Sequence, residues 1–340
     1  MGDVLMSSPA ISSLKRSLNC QVTMLTSSLG AKAAPLLPEI DEWMIFDAPW
    51  VKLKEGVASS DFMKAVEEIK VRYFDACVIF TVYSQNPMPA IMLAYLAGIP
   101  LRAAYCRENP YDLLTHWEPE REPFHLIRHQ VERDLSLIAR IGIPTSGSDI
   151  RISSTMDAAE GLTTKLRSAG IQVSHRSFYI LHAGVTEVKR RFPKSGWISL
   201  AQTLIDEFSL PVLFTGTLED QPFINDVIHS VGFGCYSVAG LLTIEEFAGL
   251  IADAKAVVSV NTSTVHLAAA TKTPIVVLHA RTNPQHGPWK VPSKVLEFTI
   301  PKEQRSENDI IRWVDENYYL EERPYPTTSE IMEAIIQVTI

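Results

Sequence analysis

Asn261, Thr262, Ser263 and Thr264 stand between the apolar run Ala256 to Val260 and an alanine-rich segment from Val265 to Thr271, with His266 one turn in. Small polar residues at such a boundary start helices. The free N–H groups of a first helical turn, and the positive end of its dipole, favour an anion, most often phosphate. Pro274 then opens a second apolar run, Ile275 to Leu278, so the stretch from Ala256 to Trp289 reads as strand, helix, strand. In such a unit the strands are parallel and the helix start lies at the carboxyl end of the sheet, where ligands bind. A charged island, Lys189-Arg190-Arg191-Phe192-Pro193-Lys194, lies between another strand-like run and a helical pattern. Cations there either face solvent or meet an anion. Each feature also has a plain structural reading: any α/β protein needs Ser or Thr caps, and His266 can be a packed imidazole; Asp3, an acidic residue near the start of the chain, can likewise serve a helix dipole.

These residues need elements to hold them, and composition bounds what those elements can be. At 340 residues the chain is long for one domain and comfortable for two, and 46% hydrophobic content supplies proper cores. With 31 basic and 39 acidic residues, net charge −8, there is no general attraction to nucleic acid or anionic lipid, so an anion site must be local. Cys20, Cys77, Cys106 and Cys235 are scattered, which suggests neither a disulfide framework nor a zinc site. With no signal-peptide pattern and no apolar run of about 18 residues, the expectation is a cytoplasmic protein that can still touch a membrane surface.

Strand and helix signals alternate along the chain. Ser8-Pro9 reads as the N-cap and first turn of a helix to about Leu18. Strands are expected at Gln21 to Thr26, Trp43 to Phe46, Ala76 to Phe80 and Leu101 to Tyr105, and helices at Phe62 to Lys70 and Pro89 to Ala97. Cys106 to Phe124, rich in Pro, Glu, Arg and aromatics, reads as a long loop before a helix from His125 to Ile141. The turn residues 142–149 mark a linker, giving domains 1–147 and 148–340. The second repeats the alternation and ends in a helix, Ser329 to Val338, expected to cross back to the first. Right-handed parallel crossovers make both halves doubly wound, Rossmann-like α/β domains.

The stretch 256–289 resembles the C-terminal signature of glycosyltransferase family 9, the bacterial lipopolysaccharide heptosyltransferases, whose pattern runs Asp-[Ser/Thr]-Gly-x-x-His-x-x-Ala-Ala. Asn261, Thr262, Ser263, His266, Ala269 and Ala270 fall on it, with Asn261 in place of Asp and Ser263 in place of Gly. The basic island resembles the family's Lys-x-Trp-Pro segment, with Arg190 for the lysine and Phe192-Pro193 for Trp-Pro. Val185-Thr186 matches a Thr-Thr pair, of which only Thr186 keeps its hydroxyl. Gly2-Asp3 with Pro9 resembles the Gly-Asp-x-x-x-x-x-Pro segment, in which the Asp is the proposed catalytic base.

The resemblance implies the GT-B architecture of two Rossmann-like domains and an inverting, metal-independent transfer of a sugar from a nucleotide-sugar donor to a lipopolysaccharide-core or related glycan or glycolipid acceptor. Heptose and ADP-heptose are the first candidates. It implies that Asp3 is the base. Arg190 and Lys189, with Thr186 and the N–H groups of Thr262, Ser263 and Thr264, face the donor diphosphate, and His266 supports that site. Asn261 faces the sugar hydroxyls and Leu242 the nucleobase. Neither a metal, a cofactor nor nucleic acid is expected, and contact with the inner membrane would be peripheral. A nicotinamide dehydrogenase is disfavoured because no Gly-x-Gly-x-x-Gly occurs. The competing reading is a non-catalytic or degenerate sugar-nucleotide-binding homologue.

The loop carrying Gly2-Asp3 should follow a central strand, yet no apolar run precedes it. The first domain is therefore expected to lack its first strand here, with Met1 an internal methionine and roughly 8 to 15 further residues ahead of it in the native chain.

Overall fold

Aliphatic and β-branched runs bounded by turn signals make strands buried on both faces, and Tyr179–His182, Ala256–Val260 and Ile275–Ala280 are three such runs. The computed structural model describes residues 1–51, 58–185 and 187–340. The chain divides into two compact units, Asp3–Ser148 with Met1, and Asp149–Ile340 with Gly2.

The first unit runs α1 (Gly2–Leu18), β1 (Thr23–Thr26), α2 (Ser28–Ala31), β2 (Glu42–Ile45), α3 (Ser59–Lys70), β3 (Ala76–Ile79), α4 (Met88–Leu96), β4 (Leu101–Cys106), β5 (His116–Pro119) and α5 (Gln130–Arg140). β1 and β2 form one parallel pair, and β3, β4 and β5 form a parallel sheet in that order. Val66 and Ile69 of α3 pack with Leu93 of α4 and Met44 of β2 to make one apolar cluster, and Ile91, Ala104, Cys106 and Leu114 make a second.

Three expectations change here. Helix α1 begins at Gly2 and not at Ser8, so Asp3 stands in its first turn rather than in a loop. Pro9 lies inside the helix, where its missing N–H would leave the Leu5 carbonyl without its donor. The Ser8 hydroxyl supplies that donor at 2.7 Å, and the helix continues through the proline. The segment after Cys106 is not all loop, since β5 pairs with β4. Helix α5 begins only at Gln130, where His129 Nδ1 accepts the Val131 N–H at 3.2 Å as a cap.

The second unit runs α6 (Met156–Ser168), β6 (Tyr179–His182), α7 (Lys194–Phe208), β7 (Val212–Thr215), α8 (Gln221–Val231), β8 (Cys235–Ser237), α9 (Ile244–Asp253), β9 (Ala256–Val260), α10 (Thr264–Thr271), β10 (Ile275–Ala280), β11 (Ser293–Phe298), α11 (Asp309–Asn317) and α12 (Thr328–Thr339). Its sheet has the order β11-β10-β9-β6-β7-β8, parallel throughout. From β6 the chain winds outward through β7 and β8, then returns to the other side of β6 and winds outward again. The carboxyl ends of β6 and β9 therefore flank a topological switch point, the usual ligand crevice of such sheets. Trp197 is fully buried, edge-on to Phe192 and Phe214. The final helix, expected to brace the first domain, puts Ile331, Met332, Ile335 and Val338 into the core of the second unit itself, against α7 and β10.

Candidate functional site

The chain leaves β6 at His182 and turns through a short 3-10 helix, Val188–Arg190, while it leaves β9 at Val260 and enters Asn261. These two exits meet. Arg190 Nη1 donates to the Asn261 carbonyl at 2.9 Å, joining the basic island to the polar stretch across 71 residues of sequence. Glu187 sits behind the cations, its carboxylate 3.3 Å from Arg190 Nε and 3.7 Å from Lys189 Nζ. Thr186 lies outside the described residues. The turn is anchored by Phe192, which is buried beside Trp197, and by Pro193, which opens α7. Gly196 completes the anchor, because a Cβ there would fall 2.3 Å from the Phe192 ring.

Helix α10 begins at Thr264 with Ser263 as its N-cap, and no side chain caps it. The N–H groups of Val265 and His266 bond back to the carbonyls of Thr262 and Ser263, each at 3.1 Å. Those of Ser263 and Thr264 precede the helical ladder, so they are the donors this turn offers to an anion. The Thr264 side chain is buried, and Thr262 Oγ1 is 3.4 Å from Ser259 Oγ.

Asn261 is not placed as the sequence suggested. Its side chain is buried; Oδ1 accepts the Ala280 N–H at 3.2 Å, while Nδ2 donates to the Ala280 carbonyl at 3.2 Å and to Thr282 Oγ1 at 2.9 Å. Both ends of the amide thus tie the end of β9 to the end of β10, where a sugar-facing group was expected. A carboxylate can accept but not donate, so it would oppose the Ala280 carbonyl. Asn261→Asp is expected to destabilise the second unit by about 1–3 kcal/mol, the cost of a buried unpaired acceptor. Urea denaturation measures this, and an unchanged midpoint would contradict the strand-linking role.

Three imidazoles that spacing did not single out stand at the carboxyl ends of interior strands or in the turn that follows one of them. His279, at the end of β10, has its pKa pushed down to about 4 by burial, with the charges of Arg190, His286 and Arg281 adding to the effect. His182, at the end of β6, is also held down to about 4 by burial. Its Nδ1 is 2.8 Å from Thr215 Oγ1, and its ring stacks on Phe247 with centroids 5.7 Å apart. His286 lies edge-on to buried His266, centroids 6.3 Å apart. The signal that could have found His182 and His279 is positional: each is a polar residue at or next to the last residue of a buried strand. Leu242 is half-buried just ahead of Thr243, the N-cap of α9.

In the first unit Asp3 is exposed in the first turn of α1, where a negative charge suits the helix dipole. Its carbonyl lies 3.1 Å from Ser7 Oγ. Deeper in that unit Arg133 is fully buried, with Nη1 2.6 Å from Glu122 Oε2 and 3.0 Å from Glu120 Oε1. Among the described residues no cluster of His, Cys, Asp or Glu is arranged to hold a metal ion, and no helix is long and apolar enough to cross a membrane.

A family model described as Glycosyltransferase family 9 (heptosyltransferase) matches residues 68–311. The chain is similar to lipopolysaccharide heptosyltransferase 2 of Escherichia coli strain K12, 25% identical over 302 residues that cover 85% of this chain and 82% of that protein. Among solved structures it resembles a glycosyl transferase of family 9 from Veillonella parvula DSM 2008, with a TM-score of 0.76 at 14% identity, covering 99% of this chain and 94% of that one. It also resembles the E. coli heptosyltransferase WaaC solved with ADP-2-deoxy-2-fluoro heptose, with a TM-score of 0.67 at 16% identity, covering 99% and 96%. These structural likenesses carry the fold, two Rossmann-like domains of the GT-B type. The family match covers most of the chain: the protein belongs to glycosyltransferase family 9 and is a glycosyltransferase.

Proposed function

We propose that this enzyme transfers a heptose from ADP-heptose to a lipopolysaccharide-core or related glycan acceptor in the cytoplasm, inverting the anomeric carbon and using no metal. The observation that carries the reading is the bond from Arg190 to the Asn261 carbonyl, which sets a guanidinium beside the N-terminus of α10 at the switch point. Two kinds of positive potential converge there, a side-chain charge and a helix end, as a diphosphate requires. The heptose and its ADP carrier are supported by the named specificities of the E. coli relative and of the WaaC complex.

In the proposed reaction the acceptor hydroxyl oxygen attacks the anomeric carbon while the bond from that carbon to the diphosphate breaks on the opposite face. The hydroxyl proton passes to the Asp3 carboxylate. Charge developing on the departing ADP is met by Arg190, Lys189 and the N–H groups of Ser263 and Thr264, with Thr262 and His266 supporting the turn. Fixed cations and a helix end thus provide the stabilisation that a magnesium ion gives in other transferases. Leu242 borders the adenine.

Arg190→Ala is expected to weaken ADP binding by about 1.5–3 kcal/mol, the scale of a charged hydrogen bond, without unfolding the protein. Calorimetric titration with ADP measures it. Unchanged affinity would make the basic turn a solvated face and remove the ground for the donor site.

A further inference from the structure

Asp134 on α5 is 1% exposed, an unusual setting for a carboxyl group, and the reaction above does not use it. Its Oδ2 lies 2.6 Å from Ser7 Oγ, and its Oδ1 accepts from Gln130 Nε2 at 2.7 Å. Ser7 Oγ is also 3.1 Å from the carbonyl of Asp3, one turn earlier on α1. A serine hydroxyl has a single proton, so it cannot donate to the Asp134 carboxylate and the Asp3 carbonyl at once. A neutral carboxylic acid resolves the conflict. Its Oδ1 accepts from Gln130, its Oδ2–H donates to Ser7, and the serine proton is released to the Asp3 carbonyl. An ionised Asp134 would instead draw the serine proton to itself and leave the Asp3 carbonyl without it.

We propose that Asp134 is a positioning residue that, acting through Ser7, holds the first turn of α1 and so orients the Asp3 carboxylate. This inference rests on the reading of Asp3 as the base. The charged groups around Asp134 are few. Arg133, its neighbour on α5, spends its guanidinium on Glu120, Glu122 and the Thr81 carbonyl, and Asp3 faces it from α1. Burial pushes the Asp134 carboxyl up to about 7, with Asp3 adding to the rise and Ser7, Arg133 and Gln130 opposing it. The relay therefore changes direction within the ordinary working range of pH.

The test uses the full chain labelled with carboxyl-13C aspartate, the Asp3 signal being assigned by its loss in Asp3→Asn. In the unaltered protein the Asp3 carboxyl carbon is expected to report a step at about pH 7, when Asp134 ionises. That step should be absent from Asp134→Asn, because asparagine can accept from Gln130 and donate to Ser7 at every pH. A step that survives in Asp134→Asn, or no step in either protein, overturns the proposal. Turnover with ADP-heptose and heptose-deficient lipopolysaccharide supplies a second arm. Asp134→Leu is expected to lose about tenfold or more in kcat with ADP affinity unchanged, and Asp134→Asn to restore most of that loss. Equal losses in the two variants also overturn the proposal. Retained turnover in Asp3→Asn would instead remove the base reading and leave the nuclear resonance result standing as a fact about the helix.

Discussion

Asp3→Asn is expected to lower kcat by about two to four orders of magnitude, the range that a positioned general base contributes. Asparagine keeps the shape of the side chain but loses its charge, and with it the capacity to take the proton of the acceptor hydroxyl proposed for Asp3. The exposed side chain makes a purely structural cost small, since removing one negative charge from a first helical turn costs about 0.3–1 kcal/mol. ADP affinity should be unaffected, because the diphosphate is assigned to groups of the second unit. Acceptor-dependent release of ADP measures the turnover, and calorimetry the affinity. Turnover within tenfold of the unaltered enzyme would mean that another group, or water, takes the proton.

The second large effect concerns stability. Arg133 is completely buried, and so is Glu122; Glu120 is nearly so, and the guanidinium also lies over the Tyr105 ring at 4.3 Å. Arg133→Leu would take the buried guanidinium from both carboxylates and leave Glu122 only the longer contact to Arg128 Nη2 at 3.5 Å, in a place water cannot easily reach. Breaking one partner from a buried ion pair costs about 3–5 kcal/mol, and denaturant unfolding of the first unit should show a loss of that size. Changing Glu120 to Gln in the same chain should recover part of it, because among the described residues Arg133 is the cation paired with that carboxylate, whereas Glu122 keeps Arg128. A loss under about 1 kcal/mol for Arg133→Leu alone would show that the carboxylates find water or protons readily.

Where the sequence was legible, the physics was local. Ala256–Val260, the polar tetrapeptide and Ile275–Ala280 declare themselves because a buried parallel strand is apolar throughout and a helix start needs small polar residues. The start of α1 was misread because Pro9 looks like a first-turn residue, and only the Ser8 hydroxyl standing in for the missing amide lets the helix begin seven residues earlier than that proline suggests. β11 hid because it lies at the edge of its sheet, where Lys294 and Glu297 interrupt any apolar pattern. The Arg133 trio and Asp134 hid for a different reason. On an amphipathic helix such residues look like part of the solvated face, and which polar residues go inside is decided by partners from distant segments such as Ser7 and Glu120. The role of Asn261 was hidden likewise, since its partner Ala280 belongs to the next strand.

The bond between Arg190 and the Asn261 carbonyl also bears on how the proposed anion site would come into being. Its two ends are 71 residues apart, so it closes only after β6 and β9 lie side by side. A chain emerging from the ribosome, or one with the second unit melted, carries every cation of the basic turn and yet has no cradle for a diphosphate. Nucleotide bound there as proposed would select the folded population by mass action, and ADP at a hundred times its dissociation constant would add about 2.7 kcal/mol to the stability of that unit. Its melting temperature becomes a reading of how much ligand is present.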